Sequence, residues 1–166
     1  MIKPQDAGVQ EAIPYLEGVA KKDPTYKDTL TLLGRAYYHE KRYQEALWVL
    51  NKAVEINRRD EIAWVAMGLA QLKLGEDEKG LESLQNGLAY LNGASRSGYR
   101  GYTRWDPRGV VRESIRKTVI QVAEEGLDNK AGIVRSSEIL LGRIDAEERS
   151  QVSDQAVERT IQKGGG

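Results

Sequence analysis

The stretch KDTLTLLGRAYYHEKRYQEALWVLNKAVEINRRD, from Lys27 to Asp60, decides the fold, because it returns in outline in the following residues, EIAWVAMGLAQLKLGEDEKGLESLQNGLAYLNGA, from Glu61 to Ala94. The period is 34 residues: Leu30, Leu33, Gly34 and Ala36 come back as Trp64, Met67, Gly68 and Ala70, and Leu47, Leu50 and Val54 as Leu81, Leu84 and Leu88. Shifted one period toward the N-terminus, Ala12, Ile13, Leu16, Ala20 and Pro24 fall under Ala46, Leu47, Leu50, Val54 and Arg58. A repeat of this length is one helix–turn–helix unit that cannot bury its apolar face alone and must stack on its neighbours.

Within each unit the apolar residues recur at three and four, as a buried helical stripe requires: Ala46, Leu47, Leu50, Ala53 and Val54, then Leu81, Leu84, Gly87 and Leu88. This spacing predicts helices over 9–22, 27–40, 43–56, 61–74, 77–91, 107–125 and 130–144, with a weaker one over 147–162. Lys22-Asp23-Pro24 stops the first, since the residue before proline avoids the helical region. Gly80 and Gly87 sit inside a helix at about 1 kcal/mol each relative to alanine, which points to a close helix approach there. Asp106-Pro107 reads as an N-cap with proline at the first helical position, and Gly126 as a C-cap.

The units resemble the tetratricopeptide repeat, whose pattern runs W-x2-L-G-x2-Y, then A-x3-F, then P. The first full unit offers Leu30-x2-Leu33-Gly34-x2-Tyr37 and Ala46-x3-Leu50; the second offers Trp64-x2-Met67-Gly68 and Gly80-x3-Leu84; the N-terminal stretch offers Ala12-x3-Leu16 and Pro24. Gln71 stands in place of the second tyrosine, and Arg58 and Asn92 in place of the closing proline. The resemblance implies an all-α, right-handed stack of antiparallel helix hairpins with C-terminal capping helices. Its expected organisation is a half repeat at 9–26, full repeats at 27–60 and 61–94, a basic aromatic loop at 93–106, a diverged third hairpin or capping pair at 107–146, and a C-terminal helix or tail at 147–166 with a flexible glycine end.

Composition narrows the function. The 166 residues hold 25 Lys plus Arg against 25 Asp plus Glu, so the net charge is zero and no global pull on nucleic acid or an anionic surface is implied. The absence of Cys excludes thiolate chemistry and cysteine-based metal sites. No apolar run approaches the length of a bilayer span, and the N-terminal stretch has no secretory apolar core. A cytoplasmic protein and one whose leader or anchor has been removed both fit. His39, the only histidine, has no ordered serine and acid beside it and cannot form a usual zinc site alone. No glycine-rich phosphate loop is present. No catalytic residue, metal or cofactor is expected, and the chain reads as a non-enzyme.

Two surfaces are candidates for binding. The resemblance places the binding groove on the first helix of each unit, which selects Thr31, Arg35, Tyr38, His39, Val65, Leu69, Leu72 and Lys73. Separately, arginine recurs every four residues, as Arg96, Arg100, Arg104, Arg108, Arg112 and Arg116, interleaved with Tyr99, Tyr102 and Trp105. Arginine offers a planar fork for carboxylate or phosphate and stacks on aromatic rings, so this segment reads either as a docking site or as a solvated face paired with the acids downstream. Replacing Arg100, Arg104 and Trp105 by alanine is expected to leave melting nearly unchanged. The functional expectation is a scaffold or adaptor that holds a partner protein or peptide. The alternatives are self-assembly through the uncovered face around Ile13, Leu16 and Val19, and anion or single-stranded nucleic-acid binding through Arg96–Arg116, which zero net charge argues against.

Overall fold

The computed structural model describes residues 4–94 and 99–164, with side chains from Gly8 onward. Among these residues it is helical throughout, with seven α-helices: α1 (Pro4–Lys22), α2 (Thr29–His39), α3 (Tyr43–Ile56), α4 (Glu61–Lys73), α5 (Asp77–Ala94), α6 (Val110–Glu124) and α7 (Lys130–Gly164), with a 3-10 turn at Gly126–Asn129. Helices α2–α3 and α4–α5 are the two full repeats, and α1 stands where the second helix of a repeat would stand. It begins earlier than the spacing predicts, so Pro14 lies inside it and the bond its nitrogen would have made is lost.

Each repeat turns at the same place. Lys41 (φ 62°) and its copy Gly75 (φ 80°) both take the left-handed conformation, which glycine adopts freely and lysine does not. Helix α4 is buried on nearly every side, from Ile62 to Leu72, because α2, α3, α5 and α7 all pack on it. Its start is fixed by Asp60: one carboxylate oxygen accepts from the Ala63 N–H at 3.0 Å and the other from the Thr31 hydroxyl at 2.6 Å. This capping residue therefore also ties α2 to α4.

The small residues set the spacing of the hairpins. A Cβ on Gly68 would stand 2.8 Å from the Gly80 carbonyl oxygen and 2.9 Å from the Leu84 nitrogen. A Cβ on Gly87 would stand 2.9 Å from the Val65 nitrogen. The close approach expected of Gly80 and Gly87 is thus made backbone to backbone between α4 and α5. Gln71, in the place of a repeat tyrosine, is buried and accepts from the Ser83 hydroxyl at 2.6 Å, so the pair satisfies itself inside the hairpin.

The C-terminal third departs from the expected elements. Helix α6 begins at Val110, three residues later than Asp106-Pro107 suggests. Asp106 still caps it, from further back: its carboxylate accepts from the N–H groups of Val111 (3.0 Å) and Arg112 (2.9 Å) across a left-handed Gly109. The expected break near 145 is absent, and α7 runs unbroken for 35 residues. Its direction is set by three contacts. Lys130 reaches Asp77 just past the end of α4, Asp145 reaches Arg35 midway along α2, and Glu148 meets Arg100, which also meets Asp28 and Glu61 at the starts of α2 and α4. Helix α7 therefore lies against α4 and runs opposite to it, while α6 lies against α5. A third repeat would have set α6 beside α4. The α6–α7 hairpin is a cap, placed across the repeat faces.

Candidate functional site

The residues expected to line an open groove have different fates. Val65, Leu69 and Leu72 are buried: Val65 and Leu72 lie against Gly87 and Gly80 of α5, and α7 borders Leu69 and Leu72. Thr31 is buried in its bond to Asp60. These four are corrected from lining positions to packing positions, although Leu69 and Leu72 still form part of groove floors. Arg35 is half-buried and makes a two-pronged ion pair with Asp145 of α7, at 2.9 and 2.6 Å. Tyr38 packs its ring on Tyr43, with centroids 5.4 Å apart. Its buried hydroxyl lies toward Glu138 without a hydrogen bond of ordinary geometry, and burial, then the Glu138 charge, raise its pKa. His39 and Lys73 remain exposed.

What the cap leaves is a groove of about 900 Å³. One wall is α1 and α2, with Val9, Ala12, Leu16, Leu32 and Ala36; the other is α7, with Leu141, Gly142 and Asp145; Ala66 and Leu69 of α4 form the floor. The Arg35–Asp145 pair joins the walls with both charges satisfied. At the end nearest the α2 C-terminus the groove carries His39, Lys41 and Lys73. There it meets a second hollow of about 840 Å³ that shares Lys73 and Glu138 and continues along Leu72, Lys130 and Arg135. The surface is thus apolar at its centre and basic at one end. Sequence reasoning named Arg35, Tyr38, His39, Leu69 and Lys73 of its lining. It missed Leu32, Gly142 and the α7 wall, because nothing in the repeat pattern says where a cap will lie.

The basic aromatic segment is not an open loop where it is described; Arg96 lies outside the described residues. Tyr99 and Tyr102 exchange backbone hydrogen bonds (3.2 and 2.9 Å) around Arg100 and Gly101, both at positive φ, which makes a two-residue turn of the kind that joins hairpin strands. Tyr99 and Trp105 are buried in the core, with rings 4.7 Å apart, and Tyr102 packs beside them. The Tyr99 hydroxyl is bonded to Glu61. Burial, then the Glu61 carboxylate, push its pKa up.

Arg100 stands among Glu148 (3.0 Å), Asp28 (3.4 Å) and Glu61 (3.7 Å). Burial works against its charge, but the tyrosine and the acids around it outweigh that and raise its pKa. Asp106 and Gln151 complete the seal: the Asp106 N–H donates to Glu147 at 2.9 Å and the Gln151 amide to the Arg104 carbonyl at 2.9 Å. The expectation that a triple alanine change at Arg100, Arg104 and Trp105 leaves melting unchanged is therefore overturned for Trp105 and Arg100. Arg104 and Arg108 are exposed, Arg112 lies 3.8 Å from Asp106, and Arg116 pairs with Glu113 at 2.9 Å.

Among the described residues no group of three or more His, Cys, Asp or Glu side chains is placed to hold a metal ion, and no helix is long and apolar enough to cross a membrane. Residues 9–72 match the family model described as tetratricopeptide repeat, a span covering most of α1, all of α2 and α3, and nearly all of α4. No curated protein matches the chain.

Proposed function

We propose that this tetratricopeptide-repeat protein is a non-enzymatic scaffold that holds a partner protein in the groove between α1, α2 and α7. Such repeats generally mediate protein–protein interaction, and the family is typically non-enzymatic. The observation that carries the reading is the chemistry of the groove: Arg35 and Asp145 pair across it, while Leu16 stays half-buried and Leu32 exposed on its wall. A surface with open aliphatic anchors suits a protein ligand, because anchors near the centre of an interface contribute most of its energy.

The test uses Gly142, which lies in open space on the α7 wall. Gly142→Trp fills the groove without entering the core. A photo-crosslinking residue at Leu32 in the source cell should attach a partner in the parent chain and fail to do so with Gly142→Trp present. Crosslinks that survive the plug would move the binding surface elsewhere.

A further inference from the structure

We infer that the groove is an acceptor for one amphipathic helix of a partner, bound on the open faces of α1 and α2 as α2 is bound on α3 and α4. This inference rests on the groove reading above and adds the form, direction and pattern of what the groove takes.

The argument comes from comparing each residue with its copy one repeat later. On α3, Ala46, Leu50 and Ala53 are buried because α2 covers them; their counterparts on α1, Ala12, Leu16 and Val19, are only half-buried. On α4, Ala66 is 2% exposed beneath α2; its counterpart on α2 is Leu32, a larger apolar side chain, 49% exposed. Both sets of open residues border one space: Ala12, Leu16 and Leu32 line the groove already described, and Ala36 lines it with them. The interface that α2 makes with α3 and α4 is thus continued one unit earlier by a surface of the same shape, on which no helix of the described residues lies.

The register specifies the occupant. Gly34 of α2 lies against Leu50, and Gly68 of α4 lies against Leu84, so close that a Cβ at either would collide. Leu16 is the residue in the Leu50 position. A helix seated on α1 in the same way must present glycine or alanine to Leu16, with a large aliphatic residue just before it, as Leu33 and Met67 precede Gly34 and Gly68.

Its direction follows from the same geometry: parallel to α2, with its C-terminal end beside the N-terminal part of α1, whose Gln10 bonds to Glu40 at 3.4 Å. That end of the groove holds Lys41 and Lys73, neither of which makes an ion pair among the described residues, against one carboxylate, Glu138. The carbonyl end of a helix carries partial negative charge, and an acidic last turn would meet these lysines. The occupant is therefore a helix of roughly three turns with an aliphatic–small pair at its centre and acid at its C-terminal end.

The chain's own first helix supplies the probe. A labelled peptide of residues 28–40, ending in Glu40 with a free carboxylate, has Leu33-Gly34 at its centre. Titrated against the full chain and read by fluorescence anisotropy, it should bind saturably. Leu16→Asp and Leu32→Asp should each weaken it at least tenfold with unchanged circular dichroism. The same peptide carrying Gly34→Leu should also bind at least tenfold more weakly. Absence of binding up to millimolar peptide, equal binding by both peptides, or binding indifferent to Leu16 and Leu32 would overturn the inference. If the Leu32 crosslink to a partner is blocked by Gly142→Trp but not by excess peptide, the groove reading stands and the helix-acceptor inference falls. If the plug does not block the crosslink, the groove reading falls as well.

Discussion

Gly68→Ala sets two effects of known size against each other. Alanine is favoured over glycine inside a helix by about 1 kcal/mol, so in open space the change stabilises. At Gly68 the added Cβ would lie 2.8 Å from the Gly80 oxygen and 2.9 Å from the Leu84 nitrogen, both backbone atoms that no rotamer change can move aside. Restoring ordinary contact requires α4 and α5 to part by about half an ångström along their whole packed length, and overpacking of that kind costs about 1–3 kcal/mol. The backbone collision outweighs propensity, and the variant should lose about 1–2 kcal/mol net. Gly18→Ala is the control, since Gly18 is also inside a helix but meets nothing within 4 Å; it should gain up to about 1 kcal/mol. Urea unfolding followed by circular dichroism reads both from the shift in midpoint. If Gly68→Ala stabilises as Gly18→Ala does, α4 and α5 are not in backbone contact and the repeat register argued from these glycines is wrong.

Trp105→Ala removes a buried ring packed on Tyr99 and should cost about 3–5 kcal/mol, while Arg104→Ala, on an exposed side chain, should change stability by less than about 0.5 kcal/mol; the pair of urea midpoints separates packing from surface in this segment. Tyr99 gives a sign for alkaline pH: its pKa is raised in the folded chain, so the unfolded chain loses this proton first, and stability is full below pH about 10 and falls as pH rises above it. Tyr99→Phe should flatten that fall in thermal melts taken across the range. Lys41→Gly relieves a left-handed lysine and should raise stability by up to about 1 kcal/mol after the larger entropy of the unfolded glycine is subtracted, whereas Gly75→Lys at the equivalent turn should lower it; effects of the same sign would mean the turns are not equivalent.

The repeats were legible because their signals are local and recur. Gly34 and Gly68, Leu50 and Leu84, and the turns at Lys41 and Gly75 sit one period apart, and each carries its meaning through contacts with a neighbouring helix. The segment after Asn92 was not legible for the opposite reason. Glycines, serines and arginines at 93–104 look like loop composition, but a Tyr-Arg-Gly-Tyr turn and two core rings are defined by partners far away in sequence, Glu61 and Glu148 among them. Helix spacing found α7 as two helices, the second only weakly, and put between them a break that the structure does not have. Beyond Gln151 its side chains are exposed, Val152, Val157 and Ile161 included, and no buried stripe marks the continuation.

The candidate site shows the same division at the level of single residues. Leu69 and Leu72 were placed by resemblance on the binding face, and they do stand on the first-helix side of α4. Their burial follows from something no repeat pattern encodes, the antiparallel course of α7. That course is held by polar contacts dispersed over the chain: Lys130 with Asp77, Asp145 with Arg35, and Arg100 between Glu148 and the starts of α2 and α4. Each pair involves partners separated by roughly forty residues or more, and none has a spacing to betray it. The cap converts the far half of the repeat face into core and leaves the near half, around Leu16 and Leu32, as the surface on which a partner can act. A repeat array that ended in another ordinary unit would have kept both halves open, so the position of the site is a property of the cap as much as of the repeats.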